Sequence, residues 1–303
     1  MKNTNTYFNS IIKKKSNTLY PKFIYSENIS KKELQILREK ILSIFSKSEN
    51  KIFKNFKKLM IFLNKTKIFY LKKDPDLMVD LESCLIKILK RRGLVNKHIR
   101  GIEFPVNIRI VHPSKPKKFK SKYDTGSIHC DPWAGEPDDI INIVLYLQVD
   151  KASPKINIFD IDKNKAKYFY RLSKYYKGKF FLNTKKYFKE LLKIVKLPSL
   201  KLSHKNGNMF IFNTFTPHNS VREGKNVRLS LEFRLRLSDP YKSKKYWLHK
   251  TNRRGRYWYV PKSDTKSFDK RLNEEIKKIS KTNNSLSKIY LRKKEINKFL
   301  LKH

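Results

Sequence analysis

Apolar and polar residues alternate in short runs through most of the chain between residues 106 and 237. The side chains of a β-strand point alternately to its two faces, so this period predicts strands rather than helices. Pro, Gly, Asn and Asp residues separate the runs, as they do in turns. The predicted strands span residues 106–112, 128–130, 140–149, 156–159, 209–212, 219–221 and 227–237. This rhythm is typical of a mainly β protein with a sandwich or jelly-roll architecture.

The last of these runs has the most regular pattern. Its polar residues Arg228, Ser230, Glu232 and Arg234 alternate with the apolar residues Leu229, Leu231, Phe233, Leu235 and Leu237. A strand with this pattern has one packed face and one polar face. An arginine that faces inward needs a partner, which makes this strand a candidate for ligand binding.

Helical periodicity marks the residues that precede the strands. Residues 30–48 carry an apolar stripe at helical spacing, and Ser30 and Glu33 at their start fit a capping box. A second helix is predicted over residues 76–92 and is stopped by Gly93. Further helical patterns occur near residues 185–195, 273–281 and 285–300.

These patterns divide the 303 residues into three regions. Residues 1–100 are predicted to form an N-terminal helical support region, and residues 101–238 the β core, which an insertion at residues 160–201 interrupts. Residues 239–303 are predicted to form a basic helical C-terminal extension. This extension contains the aromatic cluster Trp247, Tyr257, Trp258 and Tyr259.

The net charge is +45, from 56 Lys and 15 Arg against 26 acidic residues. Such an excess fits a nucleic-acid partner, because basic side chains neutralise phosphates. Specific nucleic-acid sites rely more on Arg, whose planar fork bonds bidentately. Here the lysines are spread over the whole chain, together with many Asn, Ile, Phe and Tyr residues that AT-rich codons encode. Compositional drift and an anionic partner therefore both stay open as explanations.

The basic bias stops between residues 123 and 150, which contain no Lys or Arg. This segment carries the carboxylates Asp124, Asp131, Glu136, Asp138, Asp139 and Asp150. A buried strand excludes lysine but does not call for carboxylates. We therefore expect a constraint other than burial to act on this segment.

Membrane and secreted proteins are not indicated by the sequence. No apolar run approaches the roughly 18–20 residues that cross a bilayer, and the first 20 residues lack the apolar region of a secretory signal. Two cysteines, Cys84 and Cys130, cannot build a disulfide framework or a Cys-x-x-Cys zinc site. We expect a cytoplasmic protein with reduced thiols and no membrane partner. The oligomeric state does not follow from the sequence.

A candidate metal site begins with His129 and Asp131, which share one face of a predicted strand. His218, shortly after the predicted strand at 209–212, is the candidate third ligand. Two histidines and one carboxylate form the facial triad of non-heme Fe(II) oxygenases, which leaves positions open for a chelating keto acid and dioxygen. Arg228, with the Ser230 hydroxyl beside it, then fits the far carboxylate of the keto acid.

These five residues resemble the His-x-Asp, distal His and downstream Arg-x-Ser motifs of the Fe(II)/2-oxoglutarate-dependent dioxygenase superfamily, in order and in spacing. The sequences His-Cys-Asp-Pro-Trp at 129–133 and Arg-Leu-Ser-Leu-Glu-Phe-Arg at 228–234 are similar to its clavaminate-synthase-like branch. That branch includes sugar- and antibiotic-pathway members related to streptomycin biosynthesis. The resemblance covers residues 105–237.

The resemblance implies a fold, a cofactor and a reaction. The fold is a double-stranded β-helix, a cupin-like jelly roll. Fe(II) is the metal, 2-oxoglutarate and O2 are cosubstrates, and the keto acid is converted to succinate and CO2. The reaction is oxidation, most simply hydroxylation, of a small molecule such as a sugar or secondary-metabolite intermediate. The insertion and the basic extension would then select the substrate.

Four further residues are candidates for ligand binding within the β core. Asn142 and Tyr146 alternate with apolar residues, so they either bond the keto acid inside the barrel or are hydrogen-bonded core groups. Arg109 either binds an anionic substrate or pairs with an acid. Arg234 is a further substrate candidate.

A loop rich in acidic residues follows the metal strand directly. Trp133, Glu136, Asp138 and Asp139 are expected at the mouth of the barrel. Their carboxylates either bind substrate hydroxyls or an amine, or only offset the surrounding lysines.

Two other functions stay open at this point. The net charge suggests a nucleic-acid demethylase of the same superfamily, and the six-residue spacing from Arg228 to Arg234 is also found in alkylation-repair dioxygenases. The nucleotide-recognition signature expected ahead of His129 is missing. The other alternative is a non-catalytic jelly-roll binding module that kept the scaffold.

Overall fold

The fold is described from a computed structural model. It describes residues 24–66, 68, 75–95, 99, 101–104, 106–114, 126, 128–131, 140–161, 193, 195–196, 201–237 and 257–259. The predicted helices at 273–281 and 285–300, and most of the insertion, lie outside these residues.

Three helices and nine strands make up the described part of the chain. The helices are α1 (Lys31–Ser48), α2 (Phe56–Lys65) and α3 (Pro75–Arg91). The strands are β1 (Ile24–Asn28), β2 (Gly101–Phe104), β3 (Asn107–Val111), β4 (Ile140–Gln148), β5 (Lys155–Ile158), β6 (Asn208–Asn213), β7 (His218–Val221), β8 (Arg228–Arg236) and β9 (Tyr257–Tyr259). The protein is thus mainly antiparallel β with flanking helices, as its sequence predicts.

Seven strands form a large antiparallel sheet in the order β1-β6-β4-β8-β2-β9, and β3 also pairs with β8. Strand β8 lies near the middle. One of its edges pairs with β4, and its other edge pairs first with β3 and then with β2. The register sets Asn142 opposite Arg234 and Tyr146 opposite Ser230. The polar residues of β8 therefore have side chains from β3 and β4 beside them.

Strands β5 and β7 form a second, two-stranded sheet. An apolar cluster shared by the two sheets shows that the small sheet packs on the face of the large one. Its members include Ile156 and Ile158 of β5, together with Val144, Tyr146, Phe210 and Phe212 of β4 and β6. The polar face of β8 is thereby enclosed.

The helices cover the other face of the large sheet. The apolar residues of β8, Leu229, Leu231, Phe233 and Leu235, belong to one continuous core with residues of all three helices. Helix α1 begins with the predicted capping box, in which Ser30 and Glu33 bond each other's backbone N–H. Because helices and sheet share one core, the helical region supports the sheet directly.

Helix α3 ends at the predicted glycine. Gly93 has a φ of 70°, its N–H bonds the carbonyl of Lys90, and the N–H of Leu94 bonds that of Leu89. This is a Schellman ending, in which a residue without Cβ adopts the left-handed conformation at little cost.

Several elements differ from the sequence-based predictions. Helix α2, capped by Asn55, and strand β1 were not predicted. The predicted strand at 128–130 is a single bridge between His129 and His218. Val195, the end of a predicted helix, instead forms a bridge with Ile161. Strand β9 adds residues 257–259 of the C-terminal region to the sheet.

No helix in the described part of the chain is long and apolar enough to cross a membrane. Cys84 and Cys130 do not form a disulfide, and Cys130 is buried.

Candidate metal centre

The side chains of His129, Asp131 and His218 converge on one point. One potential ligand atom from each lies within 4.8 Å of the other two. His218 begins β7, and His129 and Asp131 lie in the segment that runs beside it. His129 and Asp131 are buried, and the His218 side chain is only 12% exposed. The arrangement is sized and shielded for one metal ion.

Main-chain hydrogen bonds fix this convergence. The N–H of His129 donates to the carbonyl of His218 over 3.1 Å, and the reverse bond is 2.9 Å long. The N–H of Asp131 donates to the carbonyl of Thr214 over 3.2 Å. These bonds fix the backbone positions from which the three side chains extend.

The hydrogen bond of His218 to the backbone favours metal binding through its Nε2 atom. Its Nδ1 lies 2.9 Å from the carbonyl oxygen of Thr216. A carbonyl only accepts, so Nδ1 carries the hydrogen and Nε2 of the neutral ring keeps its lone pair. Nε2 is the atom that faces Asp131, 3.7 Å from Oδ1. A backbone acceptor of this kind typically orients the histidine ligands of metal sites.

Asp131 supplies the negative charge of the site. Burial by itself raises the pKa of this carboxyl group. Four neighbours lower it, so that the pKa is about 2; they are Arg234, His218, His129 and Asn142. Metal ligands must be deprotonated, and Asp131 meets that requirement throughout the neutral range.

A second polar cluster lies further along β8. Arg228 is fully buried, and its Nη2 lies 3.3 Å from Oε1 of Glu232. The hydroxyl of Ser230 donates to the same oxygen over 3.3 Å. Among the described residues, Nε and Nη1 of Arg228 have no hydrogen-bond partner. Unpaired N–H groups of a buried guanidinium are costly, so this cluster can accept another anion.

Tyr146 lies beside Arg228 but points its hydroxyl elsewhere. The guanidinium carbon is 5.5 Å from the centre of the tyrosine ring. The hydroxyl accepts from the N–H of Ile156 over 3.0 Å and shares a second hydrogen bond of 3.2 Å with Nδ1 of His204. Burial, Lys155 and Arg228 lower the pKa of His204 to about 4, so its ring is neutral at neutral pH.

The two other predicted arginines pair with carboxylates. Arg109 forms an ion pair with Glu232, as one of its two sequence interpretations predicts. Arg234 bonds Glu103 on β2, with 3.1 Å between Nη1 and Oε2, and also contacts Asp131. Arg234 thus links Asp131 to Glu103, and Glu232 links Arg109 to Arg228.

Asn142 lies on the same face, opposite Arg234 in the register of β4 and β8. It is buried, and within the described structure its amide nitrogen makes no hydrogen bond of standard geometry. Asn142 is therefore placed beside the metal ligands rather than beside Arg228.

The remaining predicted site residues cannot be placed. Trp133, Glu136, Asp138 and Asp139 lie outside the described residues. Of the acidic residues in the segment without basic side chains, Asp131 is in the candidate centre. Asp150 instead orders a turn, where it accepts hydrogen bonds from the Ala152 N–H and the Asn226 amide, each 2.8 Å long.

Sequence reasoning gave no role to Glu232, Glu103 or His204. A signal for Glu232 was present, because it follows Arg228 by four residues on the same strand face and is of opposite charge. Glu103 and His204 reach the site from β2 and from the segment before β6. No spacing along the chain indicates that approach.

No protein-family model matches this sequence, and a comparison with curated proteins finds no match. A functional assignment therefore depends on the residues and the geometry described above.

Proposed function

We propose that this protein is an Fe(II)- and 2-oxoglutarate-dependent dioxygenase that oxidises, most simply by hydroxylation, a small-molecule substrate. One observation carries the proposal. A His-Asp-His ligand set, carried by β7 and the segment beside it, and a fully buried arginine of β8 with unpaired N–H groups lie between the small sheet and the face of the large sheet that it covers. A metal and an acidic cosubstrate would each satisfy one half of that arrangement.

The ligand chemistry supports the metal. Imidazole nitrogens and a carboxylate oxygen suit first-row divalent ions, and two histidines with one carboxylate are the Fe(II) facial triad. Asp131 is ionised, and the hydrogen bond of His218 to Thr216 uses Nδ1 and leaves Nε2 to face the other ligands. His129, Asp131 and His218 would hold the ion.

The buried arginine supports the acidic cosubstrate. Arg228 is 0% exposed, and the N–H groups on its Nε and Nη1 have no acceptor within the described structure. A carboxylate is the acceptor that matches a guanidinium best. Arg228 and Ser230 would bind the distal carboxylate of 2-oxoglutarate, and Tyr146 would support the guanidinium through its ring.

Bound iron and O2 would supply the oxidising chemistry. One oxygen atom would enter the substrate and the other would enter succinate, as 2-oxoglutarate is converted to succinate and CO2. The protein would hold the reactants and exclude water. Enclosure by the small sheet, with Phe212 and Ile158 buried near the ligands, supplies the exclusion. The resemblance to sugar- and antibiotic-pathway enzymes suggests an intermediate of that kind as substrate.

We extend the proposal to the fold. A large and a small antiparallel sheet face each other, and the metal ligands lie where the small sheet meets the segment at 128–131. This arrangement is what a double-stranded β-helix would require.

An anaerobic titration tests the proposal. Fe(II) and then 2-oxoglutarate are added to the protein, and the weak visible charge-transfer band of the chelated metal is followed. We expect the band with wild type and none with Asp131→Asn. Arg228→Lys keeps the charge but loses the planar fork, so it should require at least about tenfold more 2-oxoglutarate.

Arg236→Lys is the matched control, because Arg236 is also fully buried on β8. It should titrate like wild type. A folded wild-type protein that binds Fe(II) or Mn(II) but shows no band would contradict the 2-oxoglutarate assignment. A folded protein that binds neither metal would instead favour a non-catalytic binding module.

A further inference from the structure

The cluster around Arg228 already contains a carboxylate. Oε1 of Glu232 lies 3.3 Å from Nη2 of Arg228 and 3.3 Å from the hydroxyl of Ser230. These are the two residues to which the proposed function assigns the distal carboxylate of the keto acid. Glu232 and that carboxylate therefore share donors.

Glu232 is an ionised group. Burial raises the pKa of Glu232, but Arg109, Arg228 and Arg234 lower it by a larger amount. The pKa of this carboxyl group therefore lies below its usual value. Its other oxygen, Oε2, is bound by Arg109 from β3. One carboxylate thus lies between two arginines that belong to different strands.

Counting charges shows what this carboxylate does to the cluster. Arg109 and Arg228, the two arginines that form ion pairs with Glu232, contribute two positive charges, and Glu232 cancels one of them; the charge of Arg234 is paired with Glu103 and Asp131. The cluster therefore offers one net positive charge, which matches one carboxylate. Without Glu232 it would offer two, and at close range in a buried site each uncompensated charge strengthens anion binding.

We propose that Glu232 is a specificity-determining residue that sets the affinity of this cluster for the distal carboxylate of a keto acid. We further infer that Arg109 is a positioning residue, which holds Glu232 by Oε2 and so limits its hold on Arg228. This inference rests on the proposed function. Neither the Arg-x-Ser motif nor the His-Asp-His ligand set requires an acidic residue at the position of Glu232.

Direct binding measurements test it without turnover. The dissociation constants of 2-oxoglutarate and pyruvate are measured anaerobically by calorimetry on Mn(II)-loaded protein. Pyruvate has the same keto-acid group but lacks the distal carboxylate. Glu232→Gln keeps the shape and an acceptor oxygen, so it should bind 2-oxoglutarate about tenfold more tightly while its affinity for pyruvate stays within about twofold.

Arg109→Gln should weaken 2-oxoglutarate binding by about tenfold, because Glu232 would then pair with Arg228 alone and neutralise its charge. In the Glu232→Gln background the same change should cost less than about threefold. This non-additivity distinguishes a positioning role from general destabilisation.

Glu82→Gln is the matched control. Glu82 is also buried, but it accepts a hydrogen bond from the N–H of Val106, away from Arg228. It should bind 2-oxoglutarate as wild type does, and thermal unfolding checks that each variant is folded.

The two hypotheses fail in different ways. If wild type and all folded variants fail to bind 2-oxoglutarate, the proposed function is wrong and this inference falls with it. If wild type binds but folded Glu232→Gln binds equally or more weakly, the inference alone is wrong. Equal tightening for pyruvate would also contradict it, since the effect would not involve the distal carboxylate.

Discussion

The Nη2 atom of Arg234 lies 3.5 Å from Oδ2 of Asp131, while Oδ1 of the same carboxylate lies 3.7 Å from Nε2 of His218. The two oxygens thus have different neighbours. Arg234 is itself tied to Glu103 on β2. The large sheet therefore orients one carboxylate oxygen toward the histidines by holding the other.

Metal binding should depend on Asp131. Asp131→Asn removes the anionic ligand, so we expect the affinity for Mn(II) or Co(II) to fall by at least about a hundredfold, as Co(II) absorption can measure. Asp80→Asn is the matched control, because Asp80 is 55% exposed on α3. Equal metal affinities for wild type and folded Asp131→Asn would contradict the candidate centre.

The pKa of Asp131 should depend on Arg234. Arg234→Gln removes the nearest cation, so we expect the pKa of Asp131 to rise from about 2 toward 3.8, its ordinary value. Carboxylate carbon NMR of the metal-free protein measures this pKa, with Asp131→Asn to assign the signal. Arg38→Gln, which alters an arginine bound to the Leu147 carbonyl, should leave the pKa unchanged. An unchanged pKa in Arg234→Gln would show that the pairing is ineffective.

Stability at acid pH should reflect the same group. The folded pKa of Asp131 is about 2 and lies below the ordinary value of 3.8, so the unfolded chain binds the proton first. The resulting stabilisation, about 2 kcal/mol, is complete above pH 3.8 and is lost as pH falls through 2. Urea unfolding of metal-free protein from pH 5 to 2 should show wild type losing this amount relative to Asp131→Asn. Parallel curves would refute it.

His204 should make the free energy of unfolding depend on pH in a higher range than Asp131 does. Burial, Lys155 and Arg228 depress its pKa from 6.5 to about 4, so the unfolded state takes up a proton first as pH falls. The free energy of unfolding should therefore decrease between pH 6.5 and 4. His204→Asn keeps a hydrogen-bonding partner for the Tyr146 hydroxyl but cannot titrate, so its unfolding free energy should change less over this range. Urea titrations at several pH values compare the two proteins; identical slopes would contradict the assignment.

The sequence by itself determined the strand core and indicated the three candidate metal ligands, which the structure brings together. Alternation in β8 separated Arg228, Ser230 and Arg234 from the leucines that pack on the helices, and the structure has both faces as predicted. Local signals, such as the capping box at Ser30 and the glycine after α3, also sufficed. Each of these features depends on residues that are close together in the sequence, so the sequence pattern is sufficient to predict it.

Only the tertiary structure decided which charged and polar groups are paired. Three contacts join residues from separate strands and segments. They are Arg109 with Glu232, Arg234 with both Glu103 and Asp131, and Tyr146 with His204. The sequence left Arg109 with two interpretations and gave Glu232 no role. Strand order and register set these contacts, because a shift of one residue turns every side chain of a strand to its opposite face. The pKa values and the net charge of the Arg228 cluster follow from those contacts.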